Sequence, residues 1–300
     1  LSRTIDASFL REPFHFYMQL SYPPLVTNVY ALCTMVAGRF PWGAAAITFP
    51  LLVALFAAGL PGVLKAAVSR GRAVAWTSLA VATISVGGVA ALIAGNGEMP
   101  LLAFESMAVA ILAGKMGGTR AGALLAGLLL AGAASTKVEG LVYVMVTVLT
   151  VAGIRRHSAG TVLLLLTPTA LSTGTWFAFG LTRSVFHRYG AGGPLLEIFW
   201  SRLPEVARYT GRVLLSTAHG APYLLPVLAL LFAASRSRRM GFLLATAAAM
   251  SGFFLFTYLH GKEDPHPWIR WSAPRVFLSV AVLLCVAGAV AQKEPARESD

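Results

Sequence analysis

Apolar runs of roughly 15 to 23 residues follow one another along this chain, each closed by a short polar break, and a helix needs about 20 such residues to cross a membrane. They fall at 42–64, 73–94, 99–114, 121–135, 140–154, 159–181, 213–234, 240–259 and 276–292. The pattern predicts an all-α fold: a polytopic integral membrane helical bundle of about nine membrane helices, with outer juxtamembrane helices beside it. Composition agrees, because 57% hydrophobic and 12% charged residues, at a mean hydropathy of +0.71, leave too little polar surface to coat a soluble globule. No repeat divides the chain. Residues 1–41 read as a first extracytoplasmic loop, 42–292 as the transmembrane domain and 293–300 as a cytoplasmic tail. The polar start at Leu1 reads as a cut, with a membrane helix expected upstream.

Orientation follows from the basic residues. Alternate short connections carry Lys65, Arg70 and Arg72; Lys115 and Arg120; Arg155 and Arg156; Arg236, Arg238 and Arg239; then Lys293 and Arg297 in the tail. The positive-inside rule makes these cytoplasmic. Residues 1–41, 95–98, 136–139, 182–212 and 260–275 then face outward, although they too hold arginines, among them Arg183, Arg188, Arg202, Arg208, Arg212, Arg270 and Arg275. Long loops translocate whatever their charge; alternatively, an outer face rich in arginine holds an anionic headgroup or substrate. The run at 23–38 and an amphipathic segment near 195–210 are expected to lie on that outer surface. Cys33 and Cys285, each inside an apolar run, read as small core residues. The net charge of +12 is divided between two membrane faces and does not point to nucleic acid.

Three polar islands interrupt the apolar background on the outer side. Gly95-Asn96-Gly97-Glu98-Met99-Pro100 holds Glu98 beside a helix start, where a carboxylate serves either as a capping charge or as a general base, metal contact or sugar-hydroxyl acceptor. Thr136-Lys137-Val138-Glu139-Gly140 sets Lys137 and Glu139 between two short apolar runs, hence at membrane depth, where an ionisable group survives only if paired or facing a watery cavity. Lys137 and Glu139 could neutralise each other, yet a lysine is also a compact charge suited to phosphate. The third island, 264–275, sets His266, Arg270, Trp271 and Arg275 before the last span; the tryptophans suit an aromatic belt, and the arginines suit a phosphate. Glu105, seven residues after Glu98, is expected to pair with Lys115 or another basic group inside the bundle. His260 and His266 with Glu263 and Asp264 fit no metal-ligand spacing, and no phosphate loop, dinucleotide fingerprint or nucleophile elbow occurs.

Four short motifs, in order, carry a resemblance: Tyr22-Pro23-Pro24-Leu25, Glu98-Met99-Pro100-Leu101, Thr136-Lys137-Val138-Glu139-Gly140 and Ser272-Ala273-Pro274-Arg275. Their order resembles the GT-C superfamily of polytopic membrane glycosyltransferases, particularly bacterial members of the aminoarabinose and protein-mannosyl transferase type. The resemblance implies a bacterial inner-membrane enzyme of the cell envelope. It would move a sugar, with inversion, from a polyprenyl-phosphate donor to a glycan, lipid or protein acceptor on the extracytoplasmic side. It implies Glu98 as the catalytic base, Lys137, Arg270 and Arg275 at the donor phosphate, and Tyr22, Glu139, His266 and Trp271 at sugar or acceptor. It implies no definite cofactor, and a divalent cation stays open. The family's usual catalytic aspartate would lie upstream of Leu1, and Ser21 stands where relatives often carry aspartate. One alternative from another class is a transporter or flippase of an anionic lipid or sugar, since it too needs charges along a membrane cavity, and a third is a purely structural membrane subunit, expected where the islands are buried in mutual salt bridges with no cavity.

Overall fold

A computed structural model describes residues 25, 32, 34–36, 38, 42–65, 68–87, 98–155, 158–182, 195–216, 226–227, 238–260 and 265–291. Among the described residues there is no strand. In chain order the helices are α1 (Trp42–Leu64), α2 (Arg70–Gly87), α3 (Glu98–Ala113), α4 (Arg120–Ala134), α5 (Val138–Thr150, continued by a π turn over Val151–Arg155), α6 (Ala159–Ser172), α7 (Gly174–Thr182), α8 (Leu195–Leu215), α9 (Arg238–His260) and α10 (Pro265–Ala291). Local chemistry places several starts. Thr119 and Ser158 accept hydrogen bonds from the Gly122 and Thr161 amides and so cap α4 and α6, satisfying amides that no helical carbonyl reaches. Pro265 opens α10, where a residue without an amide proton loses nothing.

α3 and α10 form the centre. α3 packs against α1, α4, α5, α9 and α10, and α10 also against α2, α8 and α9. Met99, Leu102, Val109 and Leu112 of α3 and Leu278, Val282, Leu283 and Val286 of α10 lie in the core. The outer helices present apolar side chains outward: Ile47, Leu51 and Leu55 on α1, Leu124 and Leu128 on α4, Met145 and Leu149 on α5, Leu163 and Leu171 on α6. Two segments, Gly241–Leu259 and Pro265–Val290, are long and apolar enough to cross a membrane, and Pro50–Leu64, Arg120–Ala134, Glu139–Ile154 and Ala159–Ser172 are shorter apolar helices.

Three boundaries differ from the expected ones. The last helix begins at Pro265, not at 276, so Arg270, Trp271 and Arg275 stand on it and not in a loop. Its first turns are amphipathic: Pro265, Ile269, Ser272 and Ala273 are buried while Trp268, Arg270 and Trp271 face out, a helical period that the density of charged and aromatic residues hides. The single run at 159–181 is two helices broken at Thr173, whose buried hydroxyl shares a hydrogen bond with Ser135 at 3.1 Å. The surface helix expected to end near 210 runs on to Leu215; most of the span expected at 213–234, most of the outer segment 1–41 and all of the tail 293–300 lie outside the described residues.

Glycine sets the closest approach in the centre. A Cβ on Gly288 of α10 would fall inside the Trp76 indole of α2. We predict that Gly288→Leu destabilises the detergent-solubilised protein by about 1–3 kcal/mol, the usual cost of overpacking. Gly252→Leu, with open space at its Cβ, should leave the thermal unfolding midpoint within a degree or so of the parent.

Candidate functional site

At one end of the bundle, a single oxygen gathers two cations from distant parts of the chain. Glu98 Oε1 accepts from Lys137 Nζ at 3.0 Å and from Arg275 Nη1 at 2.9 Å, while Lys137 also faces Glu139 Oε1 at 3.5 Å. Each member arrives on a different element. Glu98 opens α3, where the helix dipole favours a carboxylate. Lys137 stands in extended conformation just before α5, with Glu139 in that helix's first turn. Arg275 follows Pro274 within α10. The group's centre is dry, with Glu98 5% exposed and Lys137 7%, while the Arg275 and Glu139 side chains are partly exposed. Two carboxylates against two cations balance its charge. Glu98 and Arg275, expected at opposite ends of a reaction, are thus direct partners.

The turn that delivers Lys137 is tightly held. Thr136 Oγ1 donates to the Gly132 carbonyl at 2.8 Å, and the Gly140 amide to the Lys137 carbonyl at 3.0 Å. Gly140 is obligatory, because a Cβ there would fall on the Ala133 carbonyl at the end of α4. Ser135 bonds Ser172 and Thr173 at the α6–α7 break, and its carbonyl accepts from the Leu25 amide at 3.0 Å. Leu25, the last residue of the Tyr-Pro-Pro-Leu motif, therefore docks beside the Lys137 turn; Tyr22 itself lies outside the described residues.

Arg275 joins this buried group to a surface cleft. Its guanidinium lies 3.8 Å from the centroid of the Trp271 ring, and its Nε donates to the Trp271 carbonyl at 3.2 Å. Trp271, Arg270, His266 and Pro267 of α10 and Tyr209 of α8 line an open cleft of about 520 Å³. His266 Nε2 is 3.2 Å from Glu205 Oε1, and its ring meets Tyr209 edge-on at 4.3 Å. The expected residues thus divide. Glu98, Lys137, Glu139 and Arg275 meet in the buried group; Arg270 and His266 belong to the cleft; Trp271 touches both.

Of the basic partners expected for Glu105, Lys115 is out of reach, while the Lys137 charge acts on it. Glu105 is 1% exposed, neither carboxylate oxygen has a hydrogen-bond partner, and Lys115 is solvent-exposed near the opposite end of α3. With Lys115 ten residues on, roughly 15 Å along the axis, the side chains cannot meet. Tyr209 of the cleft and Glu205 beside His266 carry no sequence signal beyond the amphipathic period of their helix. Among the described residues no three His, Cys, Asp or Glu side chains gather to hold a metal ion. No protein family, curated protein or solved structure matches this chain.

Removing one member of a buried pair typically costs about 3–5 kcal/mol, because the other charge is left uncompensated. Lys137→Met and Glu98→Gln should each destabilise on that scale, while the double variant should recover about 0.5–3 kcal/mol relative to their sum. Additive losses in a thermal or denaturant unfolding cycle would show that the two do not interact.

Proposed function

We propose that this chain is a membrane-embedded glycosyltransferase of GT-C type that takes sugar from a polyprenyl-phosphate donor, with Lys137 and Arg275 receiving the donor phosphate. One observation carries the reading: four short motifs, spread from Leu25 to Arg275, supply neighbours in one place. Leu25 bonds the turn before Lys137, and Lys137 and Arg275 share Glu98. A lysine and an arginine beside an aromatic cleft suit a phosphodiester, whose charge both cations can meet and whose leaving phosphate they would stabilise. The cleft, with Arg270, His266, Tyr209 and Trp271, is then the place for sugar or acceptor. The apolar outward faces of α1, α4, α5 and α6 support a bundle surrounded by lipid, and the ion group at the end away from the basic turns at Lys65 and Lys115 supports an extracytoplasmic site.

Glu98 takes a different part from the base expected of it. With one oxygen bonded to two cations and the other enclosed, it acts as their counter-ion before the donor arrives. A transporter of an anionic lipid or sugar is the second reading, favoured by Glu105, buried without a hydrogen bond in the central helix, since acids inside membrane helices commonly line transport paths.

The decisive experiment is transfer from a labelled prenyl-phosphoryl hexose in detergent and in vesicles. We expect label in a new glycoside, and about 10- to 100-fold weaker donor binding in Lys137→Met and in Arg275→Met, as fits loss of one charge-assisted bond of about 1.5–3 kcal/mol. Label that crosses the vesicle while still attached to prenyl phosphate would select the transporter. Cysteines at Gly118 and at Trp268 test orientation: an impermeant reagent should modify the second in intact cells and the first only after permeabilisation.

A further inference from the structure

We infer that Glu98 is an internal counter-ion which an incoming phosphodiester displaces, and that its displacement draws one proton into the buried group, making anion binding at Lys137 and Arg275 proton-linked. This rests on the reading above, that these two cations receive a phosphate.

Competition comes first. Both cations already bond the same Glu98 oxygen, at 3.0 and 2.9 Å, and a phosphate oxygen that bonds both from that position takes its place. Glu98 then has nowhere to carry its charge. It is 5% exposed, on a helix enclosed by α1, α4, α5, α9 and α10. From α5 it faces Lys137 and Glu139, and from α10 it faces Arg275. α1 contains no charged residue; α4 has only Arg120, and α9 has Arg238 and Arg239, all at the opposite end, with His260 closing α9 and the buried Tyr258 hydroxyl bonded to Ser272 of α10 near Arg275. The next acid on α3 itself is Glu105, already without a hydrogen bond. A displaced carboxylate would therefore stand beside Glu139, with its cations committed to the ligand, in surroundings that strongly disfavour an unpaired charge.

Glu98 Oε2 supplies the remedy, being buried and free of any hydrogen bond, so a proton can join it without breaking another contact. Charge balance gives the stoichiometry. The resting group holds two carboxylates and two cations; one phosphodiester adds one negative charge, and one proton restores neutrality. The ligand-bound state therefore holds one more proton than the free state. Because binding takes up a proton, affinity falls as pH rises.

Titration calorimetry in buffers of different ionisation enthalpy tests this on the unaltered protein. The probes are farnesyl-phosphoryl-glucose and dimethyl phosphate, both phosphodiesters whose charge does not titrate near neutral pH, with farnesol as the uncharged control. We expect uptake of about one proton per farnesyl-phosphoryl-glucose bound and none with farnesol. Uptake confined to the prenyl ester assigns the exchange to a lipid headgroup; equal uptake with dimethyl phosphate assigns it to the phosphate alone. Glu98→Gln should abolish the uptake and bind the ester at least as tightly, since a neutral amide no longer competes for the cations. Saturable binding with no proton uptake and a flat pH profile would overturn the exchange and leave the donor reading standing, whereas no saturable binding of the ester would sink both.

Discussion

The bond pair at Glu98 Oε1 is the constraint on which the rest of this end of the molecule depends. One carboxylate oxygen holds a lysine 39 positions away and an arginine 177 positions away. A charge in a dry interior is tolerated only with a partner, so the three chain segments that carry these residues must arrive together. The neighbouring features follow from that demand. Gly140 lets α5 start against the end of α4, Thr136 ties the turn to Gly132, and α10 keeps its helix through Pro274 so that Arg275 reaches inward.

The same interaction separates two kinds of chemistry within a few residues of α10. Toward the bundle, Arg275 is neutralised and enclosed. Toward the surface, Arg270, His266 and Trp271 line an open cleft with Tyr209 of α8. Trp271 spans the boundary, with its ring under the Arg275 guanidinium and its edge on the cleft. A ligand with a charged group and a polar ring would meet complementary surroundings on both sides of this tryptophan. The carboxyl of Glu105, deeper in α3, makes no hydrogen bond and lies apart from this boundary.

Much of the helical layout is legible in the sequence, because hydrophobic runs bounded by polar residues leave little choice of register. The bounds of α1, α3, α4 and α9 follow their apolar runs within a residue or two. The failures have physical causes. At 265–275 charged and aromatic residues mask an amphipathic helix whose buried face is short and small, so hydropathy alone starts α10 too late. The break at Thr173 arises from hydroxyl contacts with Ser135, which no local pattern encodes. In the site, Glu98, Lys137 and Arg275 stand out singly as charges among apolar residues, but their mutual bonding depends on helices meeting across most of the chain. Glu105 misled only over Lys115, which lies out of reach; the cation whose charge acts on it is Lys137, without a hydrogen bond between them.

An experimental structure with farnesyl-phosphoryl-glucose bound tests most directly whether the Glu98 pair of cations is an anion site. The phosphate should lie within hydrogen-bond reach of Lys137 Nζ and the Arg275 guanidinium, with the Glu98 carboxylate turned away from both. A phosphate bound elsewhere, with the 3.0 and 2.9 Å bonds to Glu98 still in place, would show that the cluster only holds the helices together.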